Sequence, residues 1–183
     1  MSPARRAAAR PTRTSSRPAT RGGARPADTR LAIDVATDAA RLPVSQAAVR
    51  DAARLVLRAS KVRDALLSFA FVSTRAIARL NRQHLGHTGA TDVISFGFER
   101  MAAGAPVLGD VYICTDVARE NARAAGCGVR EELLRLVVHG TLHVLGHEHP
   151  VGDETTRSPM WRRQERLLAR AMGAAPVGGR RPR

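Results

Sequence analysis

Residues 137–150 read Val137-Val138-His139-Gly140-Thr141-Leu142-His143-Val144-Leu145-Gly146-His147-Glu148-His149-Pro150. His139 and His143 lie four apart in an apolar run, a spacing that puts both imidazoles on one helix face about a turn apart. Gly146 stands where such a helix would stop, because glycine enters the left-handed region without a steric penalty. The chain can then reverse and bring His149 towards the two helical histidines. Three neutral imidazoles, with a fourth position left to water, make the catalytic type of zinc site rather than the closed structural type. His147, one residue past the glycine, is the rival for the third ligand, and it falls early in the turn.

Written out, the spacing is H-x-x-x-H-x-x-G-x-x-H, the ligand spacing of the metzincin proteases. Gly140 occupies the place where those proteases carry their general-base glutamate. The metal ligands are present and the peptidase base is not. The small size of Gly140 is expected to leave room above the metal for a phosphate and sugar; the alternative is that it permits close packing against a neighbouring strand.

With 183 residues the chain is long enough for one domain with a real core, and short for two. Hydrophobic residues make up 44% and aromatics 3%, so that core is mostly aliphatic. No apolar run approaches the roughly 20 residues needed to cross a bilayer, and the start lacks the apolar stretch of a secretory signal. Cys114 and Cys127 are therefore expected as free thiols in a cytoplasmic protein.

The net charge of +14 is unevenly spread, with eight arginines against Asp28 in residues 1–30 and Arg180, Arg181 and Arg183 in residues 173–183. The intervening residues 31–172 keep only +4. Both ends are read as disordered basic tails with little to bury, suited to a polyanion such as RNA through counterion release. Residues 1–30 also share the arginine- and serine-rich, acid-poor composition of an organellar transit peptide. An unstructured extension is the simpler reading, since the far end has the same arginine, proline and glycine bias.

Order begins at Leu31. Leu31–Val35 alternates apolar and polar as a half-buried strand does. Ser45 is placed to cap a helix through Ser60, with Ala48, Ala52, Leu55 and Val56 inward. Residues 66–72 form a second strand, and Ser73 or Thr74 caps a short helix carrying Ile77 and Leu80 and ending near Asn81. A loop over residues 83–91 holds His84 and His87. Thr91–Phe96 and Leu108–Cys114 are expected to pair antiparallel. A helix from Thr115 to Ala125 is broken by Gly126 and Gly128, and Glu131 opens the histidine-bearing helix, where the dipole favours its charge. Residues 158–172 form a last helix with Met160, Trp161, Leu167 and Leu168 inward. The fold class is α/β of the α+β type: one domain, a mixed sheet of about four strands, and helices packed on it.

The stretch His139–His149, together with Asn81, Thr91-Asp92-Val93-Ile94-Ser95-Phe96 and Leu108-Gly109-Asp110-Val111, resembles the bacterial YbeY family of zinc-dependent endoribonucleases. The resemblance covers roughly residues 31–172 and leaves both tails outside it. It implies one zinc per chain held by His139, His143 and His149, with single-stranded ribosomal RNA as substrate. It further implies a role in maturing the 3′ end of 16S rRNA, in ribosome quality control, and association with the ribosome or its small subunit. Neither DNA nor a membrane is an expected partner. Many family members have Tyr-Asp where this chain has His147-Glu148, and an arginine where it has Leu85, near Arg82.

Cutting a phosphodiester calls for a base that Gly140 cannot supply. Glu148 is the catalytic candidate nearest in sequence, with Asp92 a turn or strand-start residue and Asp110 a partner that fixes a histidine tautomer. A ribosome assembly factor with a structural zinc and little nuclease activity is the alternative, and a metallopeptidase the weaker one. Deleting residues 1–28 is expected to leave the thermal midpoint unchanged while weakening RNA binding most at low salt. A melting curve and a salt titration of RNA binding check both halves.

Overall fold

The computed structural model describes residues 30–38, 41–150 and 158–173. Apart from Arg30 and Gly173, the two basic tails lie outside them. Among these residues four strands and five α-helices follow in the order β1 (Arg30–Thr37), α1 (Gln46–Ala59), β2 (Asp64–Val72), α2 (Thr74–Leu80), β3 (Val93–Phe98), β4 (Val107–Cys114), α3 (Thr115–Ala125), α4 (Val129–Val144) and α5 (Pro159–Ala171). The sheet order is β1-β2-β4-β3, with β1, β2 and β4 parallel and β3 antiparallel to β4. This is the expected α/β fold with a four-stranded mixed sheet. No helix among the described residues is long and apolar enough to cross a membrane.

Strand alternation divides the sheet into two faces. Ile33, Leu67, Phe69, Phe71, Val107, Val111 and Ile113 point to one side, where they form the main core with residues of α1 and α4. The other side is covered in part by α2, whose Ile77 packs with Ile94 and Cys114. Ser45 caps α1 by accepting the Ala48 N–H, and Ser73 caps α2 by accepting the Ala76 N–H. The inward face of α1 is rotated from the expected one: Val49, Ala52, Ala53, Val56 and Leu57 are buried, whereas Ala48 and Leu55 are half-buried.

The segment expected as a loop from residue 83 is helical as far as Leu85. Asn81–Leu85 form a wider π turn that continues α2, and Gly86 ends it at φ 70°. Such turns recur at functional sites. Asn81 is buried and donates through Nδ2 to the Gly89 carbonyl at 3.0 Å, which ties the following loop to the turn.

Helix α4 begins at Val129, two residues earlier than expected, and lies against the β3–β4 pair. Its approach is close because glycines stand at the contact. A Cβ on Gly109 would come within 2.4 Å of Val144 Cγ1, and one on Gly97 within 3.0 Å of the Val144 carbonyl. A Cβ on Gly140 would meet Val111 Cγ1 at 2.5 Å and Ser95 Oγ at 3.0 Å. Gly140 therefore opens no space over the histidines; it is the contact of α4 with the sheet, and the close-packing alternative holds.

Gly109→Ala forces a methyl against a valine that has little rotamer freedom in a helix, an overpacking expected to destabilise by about 1–3 kcal/mol. Urea unfolding should detect it. Gly109→Ala combined with Val144→Ala should be more stable than the sum of the single changes predicts, because the two sites share one contact.

Candidate metal centre

The face of α4 that carries the histidines lies to one side of its line of contact with the sheet. Leu133, Val137, Gly140 and Val144 share the sheet-facing line by their spacing, while Arg135, His139 and His143 recur every fourth residue beside it. The helix ends in a Schellman turn: the Gly146 N–H donates to the His143 carbonyl at 2.8 Å and the His147 N–H to the Leu142 carbonyl at 3.0 Å. Gly146 takes φ 81°, in the left-handed region. The reversal carries His149 back over the helix end, with its ring centroid 5.2 Å from His139 and 5.1 Å from His143.

One nitrogen from each of His139, His143 and His149 lies within 4.8 Å of the other two, and these three form the metal-compatible group among the described residues. His139 and His143 approach Nε2 to Nε2 at 3.0 Å. Nitrogens around an ion bound at 2.0–2.1 Å in tetrahedral geometry lie roughly 3.3 Å apart, so the spacing is right for one. His147 lies outside the group.

The opposite ring edges fix which nitrogen is free. His139 Nδ1 stands 2.7 Å from Gln164 Oε1, and His149 Nδ1 stands 2.8 Å from the Pro150 carbonyl. Both oxygens can only accept, so both Nδ1 atoms carry the proton and both Nε2 atoms present a lone pair. Glu148 Oε2 lies 3.7 Å from His143 Nδ1. Burial, with His149 second among the lowering causes, pulls the pKa of His139 below the ordinary imidazole value. Burial and the neighbouring His139 lower His143 to about 4. The helical pair is thus neutral near pH 7, as metal ligation requires. The donor set fits a divalent ion with an affinity for nitrogen.

Gln164 was not foreseen from the sequence. It is 1% exposed, and its Nε2 donates to Glu165 Oε1 at 3.0 Å, which leaves Oε1 turned to His139. The signal was there: Met160, Gln164, Leu167 and Leu168 form the buried face of α5, and an amide in that stripe needs a partner. Trp161, expected inward, is half-buried at a cleft.

That cleft, of about 670 Å³, is lined by His139, His149, Asp92, Asn121, Arg135 and Trp161 among others. Asp92 begins β3 as a strand-start residue: its Oδ1 accepts the Val93 N–H at 2.8 Å and its Oδ2 accepts Asn121 Nδ2 at 3.1 Å. Arg135 holds Glu131, Glu132 and Glu165 together. Burial would lower its pKa, and its bonds to Cys127, Glu165 and Glu132 outweigh that and raise it. Asp110 is a correction. It lies on the opposite sheet face and accepts from Ser68, its register partner on β2, so it orients no histidine. His84 sits in the π turn with its ring edge against Phe96, centroids 5.3 Å apart. Leu85 is exposed at the end of that turn.

The family model described as endoribonuclease YbeY matches residues 34–172. An endoribonuclease YbeY of Beutenbergia cavernae is 42% identical over 111 residues, covering 57% of this chain and 73% of that protein. One from Frankia alni is 39% identical over 131 residues, covering 64% and 70%. A solution structure from Thermotoga maritima superposes with a TM-score of 0.52 at 23% identity, covering 81% of this chain and 99% of that one, a likeness of fold. The match spans the sheet, the helix that carries His139 and His143, and the helix that backs them, and the chain belongs to the YbeY endoribonuclease family.

Proposed function

We propose that this chain is a zinc-dependent endoribonuclease that cuts single-stranded ribosomal RNA. Its site of action is the 3′ end of 16S rRNA, in the cytoplasm and in association with the ribosome or its small subunit. The observation that carries the reading is the triangle of imidazole nitrogens beside an open cleft. The names of the relatives supply the reaction class, and the net charge of +14 suits a polyanionic substrate.

His139, His143 and His149 would hold the ion through Nε2. Zinc in such a site supplies Lewis acidity towards a phosphoryl oxygen or an attacking water. The chain's own residues do the rest. Gln164 and the Pro150 carbonyl fix the protons of His139 and His149 on Nδ1 and so aim both lone pairs inward. Glu148 is a positioning residue on this reading: its carboxylate lies beside Nδ1 of His143, the ring nitrogen turned away from the Nε2 that faces His139, and its side chain is 81% exposed. Asp92 is held on the cleft wall by the Val93 N–H and by Asn121. A peptidase would need a carboxylate at position 140 within reach of the ion. A side chain there starts into Val111 and Ser95 of the sheet, which counts against that chemistry.

Metal-loaded protein incubated with single-stranded RNA, duplex RNA and casein tests the reading. Cleavage of the single strand is expected, abolished by a chelator and by His143→Ala, while His147→Ala should keep its metal. Efficient chelator-sensitive hydrolysis of casein, with RNA left intact, would sink the nuclease assignment.

Gln164→Met keeps the volume and removes the acceptor for His139. Zinc affinity is expected to fall about 10–100-fold, read by competition with a chelating dye. The circular dichroism spectrum should be unchanged, because methionine matches the glutamine in volume and the rest of the buried face of α5 is apolar.

A further inference from the structure

The seam between α1 and α5 carries a concentration of arginine that the metal centre does not use. One groove along it is lined by Arg163, Arg166 and Arg170 with Ala59, and the adjoining groove by Arg54, Arg58 and again Arg170. Arg163 donates to Ser60 Oγ at 2.8 Å, which joins α5 to the end of α1. Arg58, Arg166 and Arg170 are exposed and make no ion pair among the described residues. The nearby acids are already engaged, Asp51 by Arg54 at 3.4 Å and Glu165 by Arg135 at 3.1 Å. Four guanidinium groups, those of Arg58, Arg163, Arg166 and Arg170, therefore face solvent or shallow groove along one seam with no acid among the described residues paired to them.

Position decides what this charge is for. Trp161 opens α5 at the wall of the cleft that His139 and His149 line. From Trp161 to Arg170 the helix runs about 14 Å, at 1.5 Å per residue. Arg163, Arg166 and Arg170 are spaced three and four apart, so they follow one face away from the cleft, while Gln164 on the opposite face reaches His139. The exposed large apolar residues, Leu66, Leu85, Phe98, Met101 and Met172, are not among those that line the two grooves. A membrane-surface helix needs such residues for anchorage. A line of charge without an apolar anchor fits a regularly phosphorylated chain.

We propose that the α1–α5 seam is a phosphate track that holds the RNA strand beyond the scissile region, with Arg58, Arg166 and Arg170 as its principal contacts. The inference rests on the endoribonuclease reading for the identity of the polyanion. It makes the seam a determinant of substrate length: a strand long enough to leave the cleft gains contacts that a short one cannot reach.

The test compares the full-length wild type with R58A/R166A/R170A. Binding of a long single-stranded RNA is followed by fluorescence anisotropy across a salt series. For single strands each lost phosphate contact lowers the slope of log affinity against log salt by about 0.7, so a drop of about 2 is expected. Cleavage of a short RNA that fills only the cleft should be unchanged, as should the thermal midpoint. The triple lysine variant R58K/R166K/R170K should recover most of the binding, since a phosphate track needs point charges at these positions. An unchanged salt slope in the alanine variant would overturn the proposal. So would a loss of binding to anionic lipid vesicles with the RNA curve intact. A wild type that binds long RNA with the full slope yet cuts none would defeat the nuclease assignment and leave the track standing.

Discussion

Helix α4 lies closer to the β3–β4 pair than side chains would allow, and the placing of the histidine cluster depends on that approach. Three glycines make it possible, Gly97 and Gly109 on the strands and Gly140 on the helix. Close-packed interiors do not stretch to accept a methyl group at such contacts. With its sheet-facing line fixed by Gly140 and Val144, the helix has one rotation open to it, and that rotation sets where His139 and His143 project. Helix α5 then seats against the exposed flank, where Met160 and Leu167 join Val138 and Leu142 in an apolar cluster. The same seating delivers Gln164 to His139. The fold acts on the site through packing, and only then through hydrogen bonds.

Much of this was legible in the sequence because it rests on local spacing. The four-residue interval between His139 and His143, and the glycine three residues later, determine a helix face and its reversal. Alternation along Leu108–Cys114 and the serines at positions 45, 73 and 158 mark strands and helix starts in the same local way. Gly140 was harder. A glycine in a helix is equally compatible with an open pocket and with a tight contact, and only the position of Val111 on a strand some thirty residues earlier decides between them. The π turn at Asn81–Leu85 has no periodic signature over five residues, so it could not be told from a loop. Asp110 was misread although its alternation with Gly109 and Val111 already placed it on the other face of the sheet.

Arg135 shows a second kind of support. It collects three carboxylates one turn before His139 and joins α4 to α5 through Glu165. A partly buried ion cluster of this kind gives weak evidence of added stability, because desolvation opposes the attraction between the charges. Its geometric effect is clearer. It ties α5 to α4 at Glu165, the residue next to Gln164, so the wall of the cleft and the backing of His139 are anchored to α4 at adjacent positions.

The three histidines are not held alike. His139 and His143 belong to a helix pressed on the sheet, and neither ring can leave without disturbing the core. His149 rides on the reversal after Gly146, where Gly146, Glu148 and Pro150 are exposed and, among the described residues, the ring is tied to its neighbour's carbonyl. Segments with few buried contacts open at a lower free energy than the structure as a whole. The reversal is therefore the part of the candidate site expected to open first on warming, ahead of the sheet and α4, and its opening would withdraw His149 from the other two imidazoles. The thermal limit of the site is set by a few residues of turn, and that of the fold by the glycine contact beneath them.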